Sequence, residues 1–333
     1  IISDNISGDG GSHYYGGGFS SEFSCNVELI ESVIRSNKMG DDGAFYSGGG
    51  LYCFDSCNVN LYRVVIDSNL SGNQGSFYHG AGIYAESSNL LLSNVLVASN
   101  LFGITNGFEP NGAGIYCRWA NLSGMQLTIA NNQEINGNTV YGGAIYCFQS
   151  EADFTNSIFW NTNTSEEIGI YTSQFNAFYC DIRGGWDGTG NISDNPGFID
   201  IDDFHLLPGS PCLNSGTLEN APLVDLEGNP RPSPAGTNPD MGAYEMDQPL
   251  VISHSVQNDA YATLYPNPFK ERTFLEINDK TDVVDISLVI FAVYGNVVRI
   301  YETIQENKMT IDRGKLDPGT YLYSLRTKER IIQ

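Results

Sequence analysis

Five glycine-led segments of this chain can be laid under one another: GGGFSSEFSCNVELIESVIRSN from Gly16, GGGLYCFDSCNVNLYRVVIDSN from Gly48, GAGIYAESSNLLLSNVLVASN from Gly80, GAGIYCRWANLSGMQLTIANN from Gly112 and GGAIYCFQSEADFTNSIFWN from Gly142. Their starts lie 32, 32, 32 and 30 residues apart. A near-constant period of this length marks a stacked repeat, in which each unit buries its apolar face on its neighbours. Within a copy the side-chain period is two. In Gly-Ile-Tyr-Cys the Ile and Cys point one way and the Tyr the other, and Leu90, Leu92, then Val95, Val97 alternate in the same manner. Short strands, one coil per repeat, predict a right-handed parallel β-helix. The Leu-x-x-Leu-x-Leu frame of a leucine-rich repeat is absent, and so are the regular hairpin dipeptides of a propeller blade.

In such a coil, equivalent residues sit about 4.8 Å apart along the axis, the spacing between paired strands. Asn5, Asn37, Asn69, Asn100, Asn132 and Asn161 then form one column. An amide carries both donor and acceptor, so like asparagines can bond along a stack, and Asn also tolerates the left-handed backbone of a tight corner. The glycines serve another corner, where a side chain would strike the next rung. Phe19, Leu51, Ile83, Ile115 and Ile145 are expected in one inward apolar column, and Ile34, Ile66, Val97, Ile129 and Ile158 in another. The stretch before Gly16 matches the back half of a coil, which implies that the repeat array is incomplete at its N-terminal side.

The formal charge of −23 argues against nucleic acid and anionic membrane as partners. It is unevenly spread: residues 1–190 hold 5 basic and 18 acidic residues, 191–247 hold 1 and 10, and 248–333 hold 10 and 11. No run of about 18 apolar residues predicts a transmembrane helix. These shifts divide the chain into a β-helix (1–190), an irregular wrap or cap over its last open rung (191–247), a linker (248–260) and a C-terminal domain (261–333).

Gly142–Ile145, together with an aliphatic-x-x-Asn mark such as Ile66-x-x-Asn69, resembles the polymorphic outer-membrane protein repeats of the pectate-lyase-like superfold. That likeness is specific for fold and poor for function. Residues 191–245 look like the segment that follows such helices in secreted bacterial proteins, with Asn195-Pro-x-Phe198, Ser210-Pro-Cys-x-Asn-x-Gly216, Asp225-x-x-Gly-Asn-Pro-Arg231 and Asp240-Met-Gly-Ala-Tyr-Glu245 as its marks. Tyr265-Pro266-Asn267-Pro268-Phe269, Gly295 and Gly319-Thr-Tyr321 resemble the C-terminal sorting domain of type IX secretion cargo. The resemblance implies a small immunoglobulin-like β-sandwich, handling by the type IX machinery at the outer membrane of a Gram-negative bacterium, and a secreted or surface-attached product. The chain departs from that family at Ala292, where Asp is usual, and stops a few residues early, so the sorting domain is expected to be cut short.

The sites weigh less. Tyr52, Tyr84, Tyr116 and Tyr146 make an outward column that offers ring faces to sugars, unless neighbouring rings simply pack on one another. Tyr14, Tyr46 and Tyr78 make a second, shorter column. Cys53, Cys117 and Cys147 read as small residues in a narrow inward column, while Cys25 and Cys57 are neighbours whose parallel side chains suit a disulfide poorly. Asp200, Asp202 and Asp203 read as a charged loop before a calcium site. A lyase on this superfold needs a cationic base, and residues 1–190 offer Arg35, Lys38, Arg63, Arg118 and Arg183, none beside an obvious acidic cluster. His13, His79, His205 and His254 have no nucleophile at a meaningful spacing. No catalytic residue, metal or cofactor is assigned. The reading is an all-β, exported adhesin or glycan-binding structural module. Its alternative is a polysaccharide lyase or glycoside hydrolase whose active residues lie on N-terminal rungs beyond this sequence.

Overall fold

A computed structural model describes residues 1–7, 13–41, 45–73, 77–103, 110–135, 140–162, 164–247, 262–277, 286–292, 297–304, 307–316 and 318–326. The expected linker and Gly295 lie outside the described residues. The chain divides into two compact units, 1–250 and 251–333. Among the described residues there are strands and turns and no α-helix.

The first unit is a parallel β-helix. One wall stacks the long strands Asn26–Arg35, Asn58–Asp67, Asn89–Ala98 and Asn121–Ala130, continued by Glu151–Thr155 and Gln174–Phe178. A second wall stacks Phe19–Glu22, Leu51–Phe54, Ile83–Glu86, Ile115–Arg118, Ile145–Phe148 and Ile168–Tyr171. Short strands such as Phe45–Ser47 and Leu70–Ser71 make the third side. Within this unit the paired strands run parallel, and like residues meet like residues: Ile83 faces Ile115 and Leu51, Asn89 faces Asn58 and Asn121.

The buried asparagines set the register. Each donates its backbone N–H and one side-chain N–H to the Oδ1 of the next: Asn69 to Asn100 at 3.1 and 2.9 Å, Asn100 to Asn132 at 3.0 and 2.9 Å, Asn132 to Asn161 at 2.7 and 3.2 Å. The second amide hydrogen reaches back to a carbonyl of the preceding coil, as from Asn100 to Ile66. The asparagine-to-asparagine bonds all run one way, so the ladder needs an acceptor at its far end. Glu167 supplies it: its two carboxylate oxygens take the N–H and the amide of Asn161, both at 2.7 Å. Arg183 braces this end, donating to the Asn161 carbonyl with its guanidinium 3.6 Å from Glu167.

Three details depart from the sequence reading. The left-handed corner residue is not the ladder asparagine but the one before it, Ser36, Ser68, Ser99 or Asn131, with φ of 54–56°. In the fifth coil that residue is missing, since Trp160 runs straight into Asn161. Counting back from Asn161 therefore picked Ile158, whereas Phe159 is the residue that pairs with Ile129 and fills the column. The glycine corner behaves as expected. Gly48 and its equivalents have φ near 60–70°, and a Cβ on Gly50 would strike Ile66 and the Asn69 amide at 2.6 and 2.9 Å.

The segment 191–247 is not seated only over the last rung. It starts there, where Ile192 bridges Asp181, and then lies along the outside of the long-strand wall. Phe204, Leu226 and Ala243 pack on Leu96, Ala98 and Ala130. Trp186, ahead of this segment, packs against the apolar core next to Phe175. The strap is held by a column of left-handed residues that bend the long strands: Arg63 donates to the Leu226 carbonyl, Asn94 to Val224, and Asn156 exchanges two bonds with Thr217. Its own signature residues staple it together. Asp225 accepts from the backbone of Glu227, Asn229 and Glu245; Asp240 accepts from Asn214 and Met246; Arg231 lies fully buried with Glu245 at 3.1 Å and donates to the Gly242 and Ala243 carbonyls.

The second unit holds two three-stranded antiparallel sheets, Ala262–Tyr265, Arg272–Ile277 and Lys308–Asp312 in one, and Val297–Ile304, Ile286–Ala292 and Tyr321–Arg326 in the other. Leu275, Leu288, Ile290, Ile311 and Leu325 share one core, as in a small β-sandwich.

Two outcomes follow from the ladder. Asn100→Ala strips the acceptor from two buried donors of Asn69, so it is expected to cost about 3 kcal/mol or more and to lower the calorimetric Tm by roughly 6–12 °C. Asn121→Ala, on the exposed wall, is expected to stay within about 0.5 kcal/mol. Burial pushes the Glu167 carboxyl up to about 7, against its bonds from Asn161 and the nearby Arg183. A carboxyl raised in the folded state adds stability that is full below its unfolded value and is lost as pH rises through 7. The Tm of wild type is therefore expected to fall more than that of Glu167→Gln between mildly acidic and mildly alkaline pH; parallel curves would refute this.

Candidate ligand-binding face

The outer face of the glycine-led wall carries two columns, because every second residue of each strand points out. The first is Tyr52, Tyr84, Tyr116 and Tyr146. These rings do point outward, but they are not an open ladder. They stack on one another at 5.2, 5.4 and 5.6 Å, nearly parallel. The strand repeat coincides with a ring-stacking distance, so each inner ring spends both faces on its neighbours. Tyr15 closes over Tyr52 and His79 over Tyr116. Tyr52, Tyr84 and Tyr116 retain only 5–7% exposure, and a sugar cannot reach their faces. Burial holds all three phenols well above the usual range, with the Glu86 carboxylate adding to it for Tyr84, whose hydroxyl it accepts.

Tyr14, Tyr46 and Tyr78 face inward and stack at 5.3 and 4.9 Å. Their outward neighbours were missed. His13, Phe45 and Phe77 form a stacked column at 4.6 and 4.8 Å, legible in the His-Tyr-Tyr, Phe-Tyr-Ser and Phe-Tyr-His triplets once they are read with period two.

The second outward column on the glycine-led wall is Phe54, Glu86, Arg118, Phe148 and Tyr171. It ends in the open. Tyr171 stacks on Phe148 at 4.8 Å, is 53% exposed, and belongs to the terminal strand of its sheet. Beside it Arg118 lies over the Trp119 ring at 3.9 Å, and the Trp119 indole N–H donates to Gln149 at 2.7 Å. Trp119, 47% exposed, borders a depression of about 390 Å³ lined also by Asn121, Gln149, Glu151, Thr172 and Gln174. Asn121 continues an exposed ladder that the sequence reading overlooked: Asn121 donates to Asn89, Asn89 to Asn58 and Asn58 to Asn26, at 2.9–3.0 Å.

On the other flank the repeat shortens. Between 12 and 14 residues separate each ladder asparagine from Asn5 to Asn132 from the next glycine-led strand, but only six separate Asn161 from Ile168. The last coil therefore lacks a full third side, and the tyrosine column stops at Gly169, whose backbone lies against the Tyr146 ring. The step leaves a groove of about 510 Å³ among Phe77, His79, Asn111, Tyr141, Tyr146, Glu166 and Ile170.

The five cations considered as bases are all held in structural contacts: Arg35 on Asp67, Lys38 on Asp41, Arg63 on Glu31, Arg118 on Trp119 and Arg183 on Asn161. Asp203 is taken by His205 at 2.6 Å, Asp200 accepts from the backbone of Ile201, and among the described residues no His, Cys, Asp and Glu cluster could hold a metal ion. The seven cysteines are free. Cys53, Cys117 and Cys147 are fully buried in their column, with the last two sulfurs 3.2 Å apart.

In the second unit, Asn267, Pro268, Gly319 and Tyr321, far apart in sequence, border one cavity of about 290 Å³ with Leu264, Ile290 and Ile311. Pro266 accepts from the Thr273 hydroxyl at its rim, and the Tyr265 hydroxyl pairs with Glu276 and Lys308.

Fold and site together define a β-helix repeat protein with a small antiparallel domain behind it. Residues 263–333 match the family described as the secretion system C-terminal sorting domain. The chain is thus a repeat protein bearing a type IX sorting domain, exported to the cell surface or the extracellular space and handled by that machinery. No curated protein and no solved structure matches it. No helix among the described residues is long and apolar enough to cross a membrane.

The stacked column makes one spectroscopic prediction. In an alkaline titration followed by ultraviolet absorbance, at least Tyr52, Tyr84 and Tyr116 should ionise only as the helix unfolds; full ionisation of the native protein would contradict the burial described.

Proposed function

We propose that this protein is a surface-exposed or released adhesin that binds glycans at the corner where its glycine-led and long-strand walls meet. One observation carries the reading: the aromatic column on the glycine-led wall runs out at Tyr171, with the Trp119 ring exposed nearby. Sugar rings present C–H faces that pack on aromatic planes and hydroxyls that need hydrogen-bond partners. Here Tyr171 and Trp119 offer the planes, and Gln149, Glu151, Gln174 and Asn121 offer the partners around the adjoining depression. Export supports the reading, because it brings this corner to where extracellular glycans are. The sorting domain serves delivery, and the β-helix serves as a rigid stalk on which a few side chains are held in register.

A glycan array with the full chain, followed by titration calorimetry on the best ligand, tests this. Trp119→Ala and Tyr171→Ala are each expected to weaken binding roughly tenfold, about 1.4 kcal/mol, with an unchanged Tm because both rings stand on the surface. Silence across the array, or binding that neither substitution alters, refutes the assignment. Cleavage of a polysaccharide in a lyase or hydrolase screen would replace it with an enzymatic one.

A further inference from the structure

The groove beside Tyr146 differs from the Trp119 depression in its chemistry. It has two ring-bearing walls, Tyr141 and Phe77, each 36% exposed, and Ile170, 48% exposed, on the far lip. Glu166 brings an exposed carboxylate to it, and the Tyr146 phenol is raised by burial first and by the nearby Glu166 charge second. None of the lining residues is Lys or Arg. His79, set into its floor, supplies no positive charge either, since burial and the neighbouring Arg118 bring it down to about 4. The Arg118 guanidinium itself is turned onto Trp119 and Phe148, with Glu86 at 3.8 Å. Residues 1–190 as a whole hold 18 acidic and 5 basic residues.

A carboxylate and π faces in a field of negative charge select for cations and repel uronates or sulfates. A bare metal ion is a poor fit, because only one carboxylate lines the groove and no ligand cluster stands there. A flat ring that carries an ammonium fits better, with its C–H face on the half-exposed Tyr141, its charge at Glu166, and its hydroxyls toward Asn111 and His79. Resting on the glycan-binding reading above, we propose that this groove is a subsite for an amino sugar with a free ammonium group, and so that the polysaccharide the protein binds is a cationic, deacetylated hexosamine polymer.

The discriminating experiment compares a short chitosan oligosaccharide with its fully N-acetylated counterpart by titration calorimetry on the full chain, at mildly acidic pH and at low and high salt. The deacetylated ligand is expected to bind about tenfold more tightly, as a desolvated cation–π contact beside a carboxylate allows, and to lose most of that advantage at high salt. Glu166→Gln is expected to abolish the preference, whereas Trp119→Ala should weaken both ligands alike. Equal affinities, tighter binding of the acetylated ligand, or a Glu166→Gln variant that keeps the preference each overturn the subsite. If neither ligand binds while other glycans do on the array, the subsite falls and the glycan-binding reading stands; if nothing on the array binds, both fall.

Discussion

The fold depends on a supply problem at one corner. A buried asparagine brings two amide hydrogens and a carbonyl oxygen out of water, and each unpaired one costs of order 1–3 kcal/mol. Stacking identical asparagines meets nearly all of that demand internally, because the side-chain oxygen of one coil faces the donors of the preceding coil. The arrangement works at a single register. A slip of one residue would carry the amide out of the corner and turn the alternating aliphatics away from the core. The same corner therefore specifies both the stack and its register, and the glycines opposite exist to let the coils close to that distance.

A polar ladder is also directional, and that has consequences at its end. Because every asparagine donates its ladder bonds toward the C-terminal side, the last one must give those hydrogens to a different acceptor. Glu167 does so at 2.7 Å on both oxygens, with Arg183 behind it. The adjacent acids Glu166 and Glu167 thus take two different roles. Glu167 is spent inside, while Glu166 is left on the surface at the rim of a groove.

Surface chemistry emerges where periodicity fails. Along the regular coils the outward tyrosines consume one another, and the long wall is overlaid by the strap. Where the third side shortens after Asn161, the outward column ends at the exposed Tyr171 ring, and a groove opens beside Tyr146. The strap shows the converse. Leu96 and Ala98 are buried although they point away from the core, because Phe204, Leu226 and Ala243 lie over them. The unbroken apolar run Val95-Leu96-Val97-Ala98 suits that covering, since both faces of the strand are buried there.

The sequence alone determined the periodic part of this protein: the coil, the ladder from Asn5 to Asn161, the glycine corner, and the sorting signature around Tyr265-Pro266-Asn267-Pro268. Period, alternation and turn chemistry are local properties, and a stack of like units repeats local properties exactly as often as the sequence does. What only the tertiary structure decided was everything that depends on who covers whom. It turned the tyrosine column from a surface into a packed stack, put Phe159 where Ile158 was expected, laid residues 191–247 along the wall, and opened the two depressions at the last coils. Exposure is set by neighbours distant in the chain: spacing shows that a corner residue is deleted or a side shortened, but not which rings that uncovers.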